Sequence, residues 1–310
     1  MSDAGAATDA RTAATAQPGD GALIADDGNL TRPTHKLTTA EARRYMLALI
    51  NRDRRIEKLP PVVLDTGPPT VSGQAHADDM AHLGYLGHWG SDGSVPEERL
   101  TRAGGADMVL ENASCFTDEK TRTLDASPQI DPAEVERAES MFFNEKPPND
   151  GHRKNILKPA HTRVGIGVAQ PRDTATEIAV PCFSQEFLDT YGTYEPLPAR
   201  AKVGTKIKVK GRATPSATAV GVTRIDSPRP LSTHDLNQRR SYPVPAPFAL
   251  YWPKGFVTDI PLVVTGDSFE IEVPLANHER APGLYEVSVW SKLPGNESHT
   301  MISLRTILVE

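Results

Sequence analysis

The stretch DGHRKNILKPAHTRVGIGVA, residues 150–169, decides the reading of the first half of the chain. A turn carrying Gly151, His152 and Asn155 leads into Val164–Ala169, where β-branched and apolar residues prevail as in a strand. A pattern of that length is hard to obtain by chance. Upstream, Thr38 and Glu41 form a capping-box signature, and Tyr45, Met46, Leu49 and Ile50 recur at helical spacing behind it. A second helix is predicted from about Val71 to Leu83, and a third opens at Ser94 with Glu97 and stops at Gly104-Gly105. Asp131, Pro132 and Glu134 start a fourth, with Val135, Ala138, Met141 and Phe142 as its buried stripe. Extended segments lie between the helices, around Met108–Leu110 and Glu177–Phe187. Interleaving this irregular excludes a repeating βαβ sheet and predicts a layered α+β domain.

With 310 residues the chain has room for two cores, and 38% hydrophobic against 24% charged residues exclude a wholly disordered protein. A net charge of −6, without a long Lys/Arg cluster, sets nucleic acid aside as a partner. No apolar run approaches the ~20 residues of a membrane span, and the first residues lack the basic start and apolar stretch of a signal peptide. Residues 1–36, poor in large apolar side chains, are expected to be a disordered leader. Residues 37–192 make the first domain, 193–200 with Pro196 and Pro198 a linker, and 201–310 a second domain. Its strands alternate, as in Lys206–Lys210, Phe269–Val273, Tyr285–Trp290 and Ile302–Leu308, which predicts an antiparallel sandwich of immunoglobulin-like type. Cys115 and Cys182 fit no metal spacing, so they are buried thiols or one disulfide.

Four stretches in order, QAHADDMAHLGYLGH, SDGSVPEERLTRAGG, ENAS and the one quoted first, resemble the bacterial branch of the CAP superfamily, the cysteine-rich secretory, antigen and pathogenesis-related proteins. The resemblance covers about half of the chain and implies a three-layer α-β-α sandwich. It also implies that two histidines and two glutamates converge on a cleft floor, at positions matching His88, Glu111, Glu145 and His152. Phe142 stands where the family often has Trp, Gly67-Pro68-Pro69 is expected to delay the second helix, and the many cysteines of eukaryotic members are absent. The family is largely extracellular, which implies an extracellular or cell-surface location. Export would favour pairing of Cys115 with Cys182.

Without the family, the four site residues lie far apart and match no short ligand motif. Brought together, two imidazoles and two carboxylates suit zinc or another divalent metal. They also suit general acid/base work, yet neither Ser91 nor Ser114 sits in a nucleophile motif, so an enzyme is not favoured. His76 and His82 cannot share a helix face as a metal pair, and packing or solvent exposure accounts for them. His161 reads as a loop residue. His35, His234, His278 and His299 match no motif, and Tyr251, Trp252, Tyr285 and Trp290 read as core aromatics. The leading expectation is a non-enzymatic module for a small hydrophobic ligand or peptide, built on a metal cleft. The alternatives are a metal-assisted hydrolase using that cleft and an adhesion protein acting through the β domain.

Overall fold

The computed structural model describes residues 30–174, 179–239 and 241–310. Most of the expected leader, through residue 29, lies outside the described residues. The first half runs α1 (Thr39–Ile56), β1 (Val63–Leu64), α2 (Pro68–Leu83), α3 (Pro96–Arg102), β2 (Met108–Ser114), α4 (Pro132–Phe143), α5 (Gly151–Ile156), β3 (Arg163–Ala169) and β4 (Cys182–Asp189). The strands form one sheet in the order β1-β3-β4-β2, so β2 is an edge.

The sequence of β3 explains the layering. Val164, Ile166 and Val168 point to one face and pack with Tyr45, Met46, Leu49, Val135 and Phe142 of α1 and α4. Gly165 and Gly167 point to the other, where α2 lies directly on the strand. A Cβ at Gly167 would stand 2.1 Å from the carbonyl oxygen of Gly73, and one at Gly165 would stand 2.3 Å from the carbonyl carbon of Pro69. The two glycines therefore set the height of α2 above the sheet, and three layers result.

Helix starts follow local chemistry. Thr38 and Glu41 form the expected capping box, and Asp131 caps α4 with Pro132 in its first turn. Four expectations need correction. α2 begins at Pro68 rather than Val71, because its prolines occupy first-turn positions whose N–H groups have no helical partner anyway. α3 begins at Pro96 behind Val95, which makes no side-chain cap, so Ser94 and Glu97 are not a capping pair. Met141, expected in the buried stripe of α4, is 55% exposed. The late strand starts at Cys182 rather than Glu177, which lies outside the described residues.

The second half contains β5 (Gly192–Tyr194), β6 (Arg200–Ala201), β7 (Lys206–Ala213), β8 (Ala217–Ile225), α6 (Thr233–Gln238), β9 (Ala249–Tyr251), β10 (Val263–Thr265), β11 (Ser268–Pro274), β12 (Gly283–Ser291) and β13 (Thr300–Val309). Two sheets, β10-β11-β7-β5 and β6-β13-β12-β8-β9, enclose a core of Val209, Val220, Val222, Phe269, Val287 and Ile307. Residues 193–200, expected as a linker, carry β5 and the start of β6. Tyr194 fixes this segment by pairing with Gly211 and by donating its hydroxyl to the carbonyl of Ile302 at 3.2 Å. The halves also touch through Ser303 Oγ, which donates to the Ala106 carbonyl at 2.6 Å, and through Thr306 N, which donates to Thr101 Oγ1 at 3.2 Å.

Candidate functional site

The edge of β2 is where the site forms. Glu111 projects toward α2, on the face shared with Ser184 and Glu186 of β4. Its carboxylate accepts from His88 Nδ1 at 2.9 Å and from Arg99 Nη2 of α3 at 2.6 Å. Arg99 also holds the loop that carries His88, donating to the carbonyls of His88 at 3.0 Å and Ser94 at 3.1 Å. Burial opposes ionisation of Glu111, but the Arg99 guanidinium, with His76 and His88 beside it, holds its carboxyl well below the usual range. Burial, then the charge on Glu111, pushes neighbouring Glu186 well upward, so this buried pair carries one negative charge against Arg99.

The second pair comes from the other side of the sheet. Glu145 follows α4, and His152 opens α5. His152 Nδ1 donates to Glu145 Oε1 at 2.6 Å, and Glu145 Oε2 accepts the backbone N–H of His152 at 2.9 Å. A carboxylate there satisfies a donor that the start of a helix leaves free. α5 is fixed at both ends. Asn155 Nδ2 donates to the backbone carbonyl of Glu111 at 3.2 Å, and the fully buried Arg54 donates to the carbonyls of Ile156 at 2.6 Å and Lys158 at 3.1 Å.

The four residues predicted from the sequence thus meet across the β2 edge, lining one cleft of about 560 Å³. The His88 and His152 rings stand 6.4 Å apart, centre to centre. Each Nδ1 is tied to a carboxylate, which leaves Nε2 as the ring atom able to ligate. The donor set fits a divalent ion carried by two imidazoles with carboxylates behind them, an arrangement that fixes both tautomers. Glu111 is committed to His88 and Arg99. No three His, Cys, Asp or Glu side chains among the described residues converge as a preformed metal cage.

Several neighbours were not legible from the sequence. His76 is buried, and its Nε2 donates to the Gly87 carbonyl at 2.9 Å while lying 3.5 Å from Glu111 Oε1. Burial, and then Arg99, lowers its pKa to about 4, so it is neutral. Arg99 had no local signal. His161, read as a loop residue, is buried, bonded to Asp189 at 2.7 Å and stacked on Phe187, away from the cleft. Tyr242 of the second half lines the cleft although it is far from every other site residue in sequence. A larger groove of about 900 Å³ lies on the sandwich. There Lys210 and Glu195 pair with each other at 3.2 Å and the lining contains no histidine, so the smaller cleft is the better candidate.

Residues 47–183 match the family model of the cysteine-rich secretory protein family, CAP. These residues form a CAP domain, and it holds His88, Glu111, Glu145 and His152 of the cleft. Among solved structures it is similar to an extracellular protein containing an SCP domain from Bacillus anthracis str. Ames, at 20% identity and a TM-score of 0.35. The likeness covers 50% of this chain and 44% of the other, so the chain spans less than half the length of that protein. No curated protein matches.

Proposed function

We propose that the protein is an extracellular CAP-domain module whose cleft binds a divalent metal, zinc in the first instance, through Nε2 of His88 and His152. Glu111 and Glu145 act as positioning residues that orient the rings. A bound ion would supply a positive, coordinatively open centre at the cleft floor. Pro96, Val109 and Leu110 give the same cleft an apolar wall, which suits a small hydrophobic ligand or a peptide. The observation that carries the reading is the pair of Nδ1-to-carboxylate hydrogen bonds at 2.9 and 2.6 Å on rings only 6.4 Å apart. The extracellular assignment draws on the family and on the Cys115–Cys182 disulfide, a bond that persists in oxidising compartments. No helix among the described residues is long and apolar enough to cross a membrane.

Calorimetric titration with zinc tests the metal reading. His88→Ala and His152→Ala should each abolish binding with the fold intact by circular dichroism, while the exposed His35→Ala binds as the parent does. Affinity should also fall on acidification, because an imidazole must be neutral to ligate. Unaltered zinc binding in both cleft variants would remove the metal from the proposal.

A further inference from the structure

Val222 of β8 and Ala249 of β9 are ladder partners, so a short turn could join these strands. Instead the chain makes a long excursion over residues 226–248 and crosses onto the CAP domain. Excursions of this length in compact domains usually serve a function. Its first part is firmly docked. Leu231 N donates to the Ser91 carbonyl at 2.9 Å, Leu86 N donates to Asn237 Oδ1 at 3.0 Å, and Leu236 is buried with Met80, Tyr85 and Ala113. Gly93, at φ +83°, passes so close that a Cβ there would lie 2.3 Å from the Arg229 carbonyl oxygen.

Beyond α6 the character changes. Residues 241–247 read Ser-Tyr-Pro-Val-Pro-Ala-Pro and form neither helix nor strand. Ser241, Tyr242, Pro243 and Val244 line the cleft together with both histidines. The Tyr242 ring stands edge-on to Trp89, 5.0 Å between centres, and its hydroxyl donates to the buried Glu97 and lies 3.4 Å from Glu286 Oε1. Burial, and then Glu97, pushes Glu286 up to about 10, so Glu286 stands beside the phenol as a neutral carboxyl. A proline-rich segment anchored by one aromatic side chain is the anatomy of a bound peptide. Its prolines fix φ in advance, so little entropy is lost on docking.

We propose that Tyr242-Pro243-Val244 is an intramolecular peptide seated along one wall of the histidine cleft, with Tyr242 held against Trp89 and Glu97, and that this seat accepts an extended peptide carrying a Tyr-Pro step, which competes with the segment. The proposal rests on reading the cleft as a ligand site, but not on the metal. Tethering gives the resident segment an effective concentration of about millimolar, so a free peptide of equal intrinsic affinity is excluded until the tether is emptied.

The test uses the full chain and a fluorescein-labelled peptide of residues 241–248, read by fluorescence anisotropy. Tyr242→Ala should bind the peptide at least tenfold more tightly than the parent, and adding Trp89→Ala should abolish the gain. A second variant, with residues 241–247 replaced by a Gly/Ser segment of equal length, should gain binding in the same way. Zinc titration of these variants keeps the two readings apart: absence of zinc binding speaks against the metal alone, whereas absence of peptide binding speaks against the occupant. Equal peptide binding by parent and variants, or none by either variant, would overturn the proposal. So would loss of the folded far-ultraviolet spectrum in both variants, since the segment would then be a structural brace.

Discussion

Breaking the bond between Cys115 and Cys182 should cost the fold about 4 kcal/mol. The cysteines are 67 residues apart. For a loop of that length the chain-entropy relation gives about 15 cal/mol/K, or roughly 4 kcal/mol at 25 °C. This is a large part of the ~5–15 kcal/mol that holds a typical domain together. The bond lies one residue beyond the last pair of the β2–β4 ladder, Ser114 against Phe183, so it clamps the end of that ladder. Cys182 is fully buried in a small cluster with Ala77, Ala81 and Ala169, and Cys115 packs against it. Urea unfolding of the oxidised parent, the parent held under reductant and the double variant Cys115→Ala/Cys182→Ala measures the effect. Both perturbed forms should lose about 4 kcal/mol, the double variant slightly more because it also loses sulfur packing. The slope with urea should rise, since an uncrosslinked unfolded chain exposes more surface. A loss below about 1 kcal/mol at unchanged slope would refute the chain-entropy reasoning.

Glu139 is buried, accepts from Gln185 at 2.6 Å, and burial pushes its pKa up to about 8. A carboxyl raised in the folded state favours folding below its unfolded value near 4.5, and this advantage is lost as pH rises to about 8. Glu139→Gln should therefore flatten the fall in stability across that window, and an unchanged slope in urea melts at several pH values would count against the assignment. Gly167→Ala should destabilise by about 3 kcal/mol or more, because its methyl group meets the Gly73 backbone and neither the strand nor α2 can give way. A melting temperature within a degree or two of the parent would contradict the layering argument. We further propose that the sandwich folds independently. A fragment starting at Tyr191 should unfold cooperatively and be β-rich, whereas one starting near Pro198 lacks β5 and should be much less stable; equal denaturant midpoints would show that β5 contributes nothing.

Most of the first half was legible because its signals are local. The Thr38–Glu41 box, Asp131-Pro132 and the apolar alternation of Val164, Ile166 and Val168 each specify an element within a few residues. The convergence of His88, Glu111, Glu145 and His152 was legible only through family resemblance, since nothing in their spacing reveals that the loop after α2 and the start of α5 meet at one sheet edge. Arg99, Glu186 and His76 were hidden for another reason. Their roles depend on burial around Glu111, and a charged or imidazole side chain in a helix or strand carries no mark of its depth. Pro68 and Pro69 misled in the opposite sense, as prolines that read as delaying the second helix serve as its first-turn residues. Tyr242 could not have been found, because its partner Glu97 is 145 positions away on the other domain.

The Asn155 contact with the Glu111 backbone and the Asn112 donation to the His152 carbonyl, at 3.2 Å each, have a consequence for solubility. β2 ends its sheet, and an unguarded edge is a template for pairing with another copy of the chain. α5 covers that edge while it delivers His152, so the same asparagines guard against self-association and hold the site in register. Substitutions that loosen α5 would accordingly surface first as aggregation during expression, before any loss of binding could be measured on purified protein.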